Sequence, residues 1–244
     1  TSRMLCCLMN TVEALISTVR IMTPILTQRG VQQQRNSPKT AAMQPSGTTV
    51  VLDAGHGGED GGAVSADGTM EKDINLDIAL RLQKLLVVSG CDVILTRDRD
   101  TAIYEEGSDS LKSKKVSDMK KRLSIFNEDT EQTVISIHQN KFEQSKYYGT
   151  QVFYSVNDAD SVKLAESIRA SVVKDLQPNN KRETKPATES IYVLNHAQYT
   201  AVLVECGFVS NAEELANLKD TAYQKKLAYG IFSGFLDYYK SAPG

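Results

Sequence analysis

Histidine is scarce in this chain, three residues in 244, and cysteine hardly less so, with four. The cysteines make no framework. Cys6 and Cys7 are adjacent, Cys91 opens one apolar run, Cys206 closes another, and no zinc-knuckle spacing joins them. They do not look like a disulfide framework, which removes disulfides as an argument for secretion. Excess charge is missing too: the formal net charge is −2, and without a long basic stripe nothing electrostatic favours nucleic acid. The one basic cluster, Lys112, Lys114, Lys115, Lys120, Lys121 and Arg122, is broken by serines and an acid. It reads as a solvated loop and helix start.

A membrane-spanning run is also lacking. Met4 to Val19 is fairly apolar, but it carries Asn10, Thr11 and Glu13 and stops at Arg20, which is too short and too polar to cross a bilayer. It reads as a disordered or a leader- or anchor-like segment, and any membrane contact would run through it alone. Thr27 to Gly47, rich in Gln, Ser, Thr, Asn and Pro, reads as a flexible linker. Residues 1–47 are thus set apart from one domain over 48–240, with a short tail at 241–244. No internal repeat is visible.

Within 48–240, strands alternate with helices. Apolar runs predict strands at Thr48–Ala54, Cys91–Thr96, Thr133–His138, Ile191–Leu194 and Ala201–Cys206, and alternation predicts another at Gly149–Ser155. Ile74, Ile78, Leu82 and Leu85 put one apolar face on a helix over Lys72–Val88, with Gly90 placed to cap its end. Further helices are predicted at Asp118–Asn127, Asn157–Leu176, Ala212–Leu218 and Ala222–Tyr239. The segment Arg97–Ser117 is long and polar, as in a lid or substrate loop. The pattern is that of a single α/β domain with a mostly parallel, twisted, roughly six-stranded sheet covered by helices on both faces.

Functional groups in such sheets gather beyond the carboxyl ends of the strands, where His56, His138 and Glu205 all fall. Two imidazoles with the carboxylate of Glu71, at a helix start, would make a catalytic zinc site that keeps a position for water. Glu205 closes an apolar strand, where a carboxylate is costly unless it is paired or used, so it is the candidate base. Blander roles stand beside these: a turn histidine, a carboxylate at a helix N-terminus, an acceptor for loop amides. No spacing rule of the compact HExxH kind joins the ligands.

The blocks Val51-Leu52-Asp53-Ala54-Gly55-His56-Gly57-Gly58, Asp60-Gly61-Gly62-Ala63 and Glu71-Lys72-Asp73-Ile74-Asn75-Leu76 resemble the opening of the zinc-dependent N-acetylmuramoyl-L-alanine amidases. Leu95-Thr96-Arg97-Asp98-Arg99-Asp100, Ser136-Ile137-His138-Gln139-Asn140 and Leu203-Val204-Glu205-Cys206-Gly207-Phe208-Val209-Ser210-Asn211 resemble later blocks of that family, in the same order. The resemblance implies a peptidoglycan hydrolase that cuts the amide between N-acetylmuramic acid and L-alanine of the stem peptide. It implies Zn2+ on His56, Glu71 and His138, and Glu205 as catalytic base; Asn140, two residues past a ligand, is placed to line the groove or to cap the next turn. Ile103-Tyr104-Glu105-Glu106-Gly107 and Lys114 to Arg122 are similar to the germination-specific spore-cortex amidases, whose products feed muramic-δ-lactam formation. Two departures bear on the groove: Tyr199-Thr200 replaces a frequent proline, and Gln139 a small residue.

Action outside the cytoplasm follows from the resemblance, at the cell wall, in a periplasm-like space or in the spore intermembrane space, with an accessory activator protein left open. Two rival readings remain. One is a cysteine hydrolase using Cys206 and His196, although regular strand geometry turns Glu205 and Cys206 to opposite faces. The other is a catalytically silent wall-binding or activator module of the same fold.

Overall fold

A computed structural model describes residues 45 to 241, apart from 46, 106, 108 and 109. The leader and linker expected over 1–47 lie outside the described residues except for Pro45 and Gly47, as do 242–244. Six strands form one sheet: β1 (Thr49–Ala54), β2 (Asp92–Leu95), β3 (Thr133–Asn140), β4 (Gln151–Tyr154), β5 (Lys185–Pro186) and β6 (Ala201–Phe208). Their spatial order is β2-β1-β3-β6-β4-β5. β2, β1, β3 and β6 run parallel, β4 is antiparallel to β6, and β5 is parallel to β4. The helices are α1 (Glu71–Val88), α2 (Leu111–Phe126), α3 (Ala159–Asp175), α4 (Tyr192–His196), α5 (Ala212–Lys219) and α6 (Thr221–Ser241). Among the described residues no helix is long and apolar enough to cross a membrane.

The parallel strands lie at the centre because they are apolar on both faces. Val50, Val51, Leu52, Val134, Ile135, Ile137, Val202 and Val204 have no solvent-accessible surface. Alternation sorts them. Val51, Val134 and Leu203 meet Phe126 of α2 and Leu194 of α4 in one core cluster, and Asp53, Ser136, His138 and Glu205 share that face by parity. On the other face α1 buries Ile74, Ile78, Leu82 and Leu85, as its periodicity predicts. Each such side chain contributes about 1.5–3 kcal/mol through burial.

Two elements differ from expectation. Ile191–Leu194 is not a strand: Tyr192–His196 forms the short helix α4, and the sixth strand is Lys185–Pro186 at the sheet edge. A four-residue apolar run does not distinguish a buried strand from a helical turn, and proline is tolerated at a sheet edge. Helix α2 starts at Leu111, seven residues ahead of the expected Asp118, and so takes the end of the long loop. Its N-terminus is a capping box. The Ser113 amide donates to Ser110 Oγ at 3.1 Å and the Ser110 amide to Ser113 Oγ at 3.0 Å, with serine in the place usually held by Glu or Gln.

Helices α3 and α6 cross at backbone contact. A Cβ at Gly234 would lie 2.4 Å from Ile168 Cα, and Ser167 Oγ donates to the Gly234 carbonyl at 2.8 Å. Gly234→Ala should therefore lower stability by about 1–3 kcal/mol, overriding the ~1 kcal/mol that alanine gains in helix propensity. Urea unfolding of the whole chain measures it; an unchanged or raised midpoint would show that the helices do not meet there.

Candidate active site

β1, β3 and β6 are adjacent and parallel, so their carboxyl ends open at one place. His138 lies opposite Glu205 in the β3–β6 register, and His56 follows β1 by two residues. Glu71, first residue of α1, reaches the same point from the next loop. Candidate ligand atoms of His56, Glu71 and His138 lie within 4.8 Å of one another. Glu71 is buried, and five donors converge on its carboxylate. Oε1 faces His138 Nδ1 at 2.9 Å, the Gln139 amide at 2.9 Å and Asn75 Nδ2 at 3.3 Å. Oε2 faces the Ala63 amide at 2.8 Å and His56 Nε2 at 3.3 Å.

Electrostatics favour a cation here. Burial works against the charge on Glu71, yet hydrogen bonds from His138 and His56 hold its carboxyl well below the usual carboxylate range. Burial likewise opposes the charge on His56, but hydrogen bonds to Asp60 and Glu71 outweigh it and raise the pKa to about 9. His56 Nδ1 lies 2.8 Å from Asp60 Oδ2. An imidazole between two carboxylates gives a proton to each, and a metal ion can replace the proton facing Glu71 while Asp60 keeps the other. Two imidazoles and one carboxylate are a donor set suited to zinc. The residues fit the ion.

Two glycines leave room for this cluster. A Cβ at Gly55 would lie 2.2 Å from His138 Nε2, and one at Gly62 would lie 2.6 Å from Glu71 Oε2 and 2.7 Å from His56 Cδ2. Beside the cluster is a cavity of about 240 Å3 lined by His56, His138, Glu205, Lys115, Met119 and Tyr192, among others. Glu205 Oε2 is sealed from solvent without a hydrogen-bond partner. Burial is the main reason that the Glu205 pKa is pushed up to about 7; Glu71 adds to the rise and the imidazoles oppose it. An unpartnered carboxyl poised near neutrality beside a cation site is suited to moving protons.

Asn140 ends β3, where its carbonyl accepts from the Val209 amide at 2.9 Å, and it is not among the residues lining this cavity. Cys206 is fully buried, and burial pushes its thiol far up, away from the nucleophilic thiolate. His196 is exposed and bonded through Nδ1 to the Tyr192 carbonyl at 2.9 Å. The structure does not join Cys206 and His196 into a catalytic pair.

Several residues that build the site carry little signal in the sequence. His56 has φ +63°, a left-handed backbone that is uncommon outside glycine. The carbonyls around it are captured one by one. Ala54 O accepts from Arg97 Nε at 2.8 Å and Arg122 Nη1 at 3.0 Å, Gly55 O from Arg97 Nη2 and Asn75 Nδ2 at 3.1 Å each, and His56 O from Arg122 Nη2 at 2.8 Å. Arg122 is itself paired with buried Asp53 and, at 2.6 Å, with Asp118. Asn75 is legible from its four-residue spacing to Glu71 on one helix face. Arg122, inside a lysine-rich helix, looks like any solvated cation.

Residues 50–237 match the family model described as N-acetylmuramoyl-L-alanine amidase. The chain belongs to that family. This amidase is 35% identical over 204 residues to the germination-specific N-acetylmuramoyl-L-alanine amidase of Bacillus subtilis, a match covering 84% of this chain and 85% of the relative. It is 32% identical over 196 residues to the amidase LytC of the same organism, covering 80% of this chain but only 36% of that protein. Among solved structures it resembles the CwlD amidase from Clostridioides difficile, solved in complex with the GerS lipoprotein. That match has 42% identity and a TM-score of 0.77, and it covers 80% of this chain and all of the other. The amidase thus shares its α/β fold with that structure and carries a His-Glu-His cluster able to hold a metal.

The arginine network should dominate stability. Arg122→Met leaves Asp53 charged and buried, so unfolding by urea should show a loss of about 3–5 kcal/mol. Adding Asp53→Asn should restore part of that loss, because the unpaired charge is gone. If the double variant were less stable than the sum of the two singles, the pairing argument would fail.

Proposed function

We propose that this amidase is a zinc-dependent peptidoglycan hydrolase, cutting the bond between the lactyl group of N-acetylmuramic acid and L-alanine. The observation that carries the reading is the convergence of His56, Glu71 and His138 next to the unpartnered, neutral-range carboxyl of Glu205. Bound zinc would supply a Lewis acid that polarises the scissile carbonyl and acidifies water. Glu205, the proposed base, takes a proton from the attacking water and returns it to the alanine nitrogen as the amide breaks. Asp60 fixes the tautomer and orientation of His56, and the Gln139 and Ala63 amides fix Glu71.

Likeness to the germination-specific relative supports a role in spore-cortex remodelling, in which release of the stem peptide precedes muramic-δ-lactam formation. Likeness to the CwlD amidase solved with a lipoprotein supports an accessory partner of that kind for this chain. Both relatives support action on the wall, outside the cytoplasm.

Digestion of purified peptidoglycan, followed by mass spectrometry, should release stem peptides with an L-alanine amino terminus. Phenanthroline should abolish that release and zinc should restore it. Glu205→Gln should keep equimolar zinc by metal analysis and lose about 10²–10⁴-fold in kcat. Near-normal cleavage by that variant would remove Glu205 from its role, and zinc-free protein with full activity would remove the metal. Zinc-free, inactive protein would favour the silent wall-binding module.

A further inference from the structure

The cavity beside the candidate metal site has unlike walls. Ile191, Tyr192 and Val193 form an apolar one, suited to the methyl groups that flank the scissile amide. Helix α2 contributes Lys115, Asp118, Met119 and Arg122 to the same lining. A second cavity of about 180 Å3, lined by Glu59, Ala102, Tyr104, Leu111 and Lys114, adjoins it, and the two share Asp60, Lys115 and Asp118. Lys115 therefore lines both cavities, at the boundary they share.

The charges along this wall are committed, with one exception. Arg122 spends its guanidinium on Asp53, Asp118 and two backbone carbonyls. Lys114 holds both oxygens of Glu59, at 2.9 and 3.0 Å, and lies 5.2 Å over the Tyr104 ring. Asp118 receives Arg122 Nε and the Ile103 amide. Lys115 makes a single 3.2 Å ion pair with Asp60, and 55% of its side chain remains exposed. An ammonium has three donors, and an exposed pair of this kind is weak. Asp60 keeps His56 Nδ1 and the Gly62 amide if Lys115 turns away.

We propose that Lys115 is a specificity-determining residue that binds a free carboxylate of the stem peptide, on the residue following L-alanine, as the peptide runs from the catalytic cavity into the second one. The proposal rests on the amidase reading. A peptide in which that carboxylate is capped as a carboxamide leaves the ammonium without a charged partner and is a poorer substrate. Ile191, Tyr192 and Val193 offer such a carboxylate no competing cation.

The test uses soluble muropeptides that differ only in whether that carboxylate is free or amidated, with zinc-loaded full chain. The unmodified protein should favour the free acid by about tenfold in kcat/KM, expressed mainly in KM. Lys115→Ala should bring the ratio of the two substrates close to one, Lys115→Glu should invert it, and Lys115→Arg should keep the preference. Taking the ratio cancels any effect that a change at Lys115 has on Asp60 and His56. A Lys115→Ala variant that retains the preference, or an unmodified protein without one, overturns the proposal while leaving amide cleavage intact. If the unmodified protein releases no L-alanine terminus from either substrate, it is the amidase reading that fails.

Discussion

Everything at this site depends on the capture of three consecutive backbone carbonyls by two buried arginines and an asparagine. A parallel strand that turns sharply at its end leaves carbonyls without ladder partners, and burying them unpaired is costly. Arg97, Arg122 and Asn75 take those of Ala54, Gly55 and His56. The capture holds His56 in a left-handed conformation that its side chain would otherwise resist. Asp53 completes the arrangement from inside β1: it neutralises Arg122 and accepts from Thr96 and Ser136, so the Arg122 guanidinium is not an isolated buried charge. Arg97 and Arg122 come from elements far apart in sequence, so the turn ties β1, the loop after β2, and α2 together.

Above that foundation, one carboxylate is shared. Glu71 accepts from both imidazoles, and its position is over-determined by two backbone amides and a side-chain amide. Such a shell fixes Glu71 and the two imidazoles around one point, so a cation bound there would need little reorganisation of the side chains. Glu205 is the counterpart. It has no partner at Oε2, and the same burial that denies it one also brings its proton affinity into the neutral range. Two acids within one site thus differ in proton affinity because their surroundings differ: one is crowded with donors, the other is starved of them.

Much of this is legible in the sequence. The buried strands announce themselves as unbroken apolar runs, α1 and α6 by their four- and three-residue spacing, and the strand-end positions of His56, His138 and Glu205 follow once the sheet is taken as parallel. The alternation argument that separates Glu205 from Cys206 also holds: Glu205 lines the cavity and Cys206 is buried away from it. What escapes has a physical reason. Tyr192–His196 is too short for periodicity to register. Ser110 caps α2 with a serine partner instead of the expected acid or amide. Arg122 and Lys115 are indistinguishable by composition from Lys112 or Lys120, since which cation turns inward depends on the helix's contact with β1 and not on its own residues. Asp60 gains its role only after the glycine-rich loop folds back on His56.

The burial of Cys91 and Cys206 has a chemical consequence of its own. Oxidants and exchanging thiols react with the ionised sulfur, and for both residues burial disfavours that form. A core built this way needs no crosslink and offers none. It would keep its packing in surroundings harsh enough to scramble exposed cysteines, with no reductant required to maintain it.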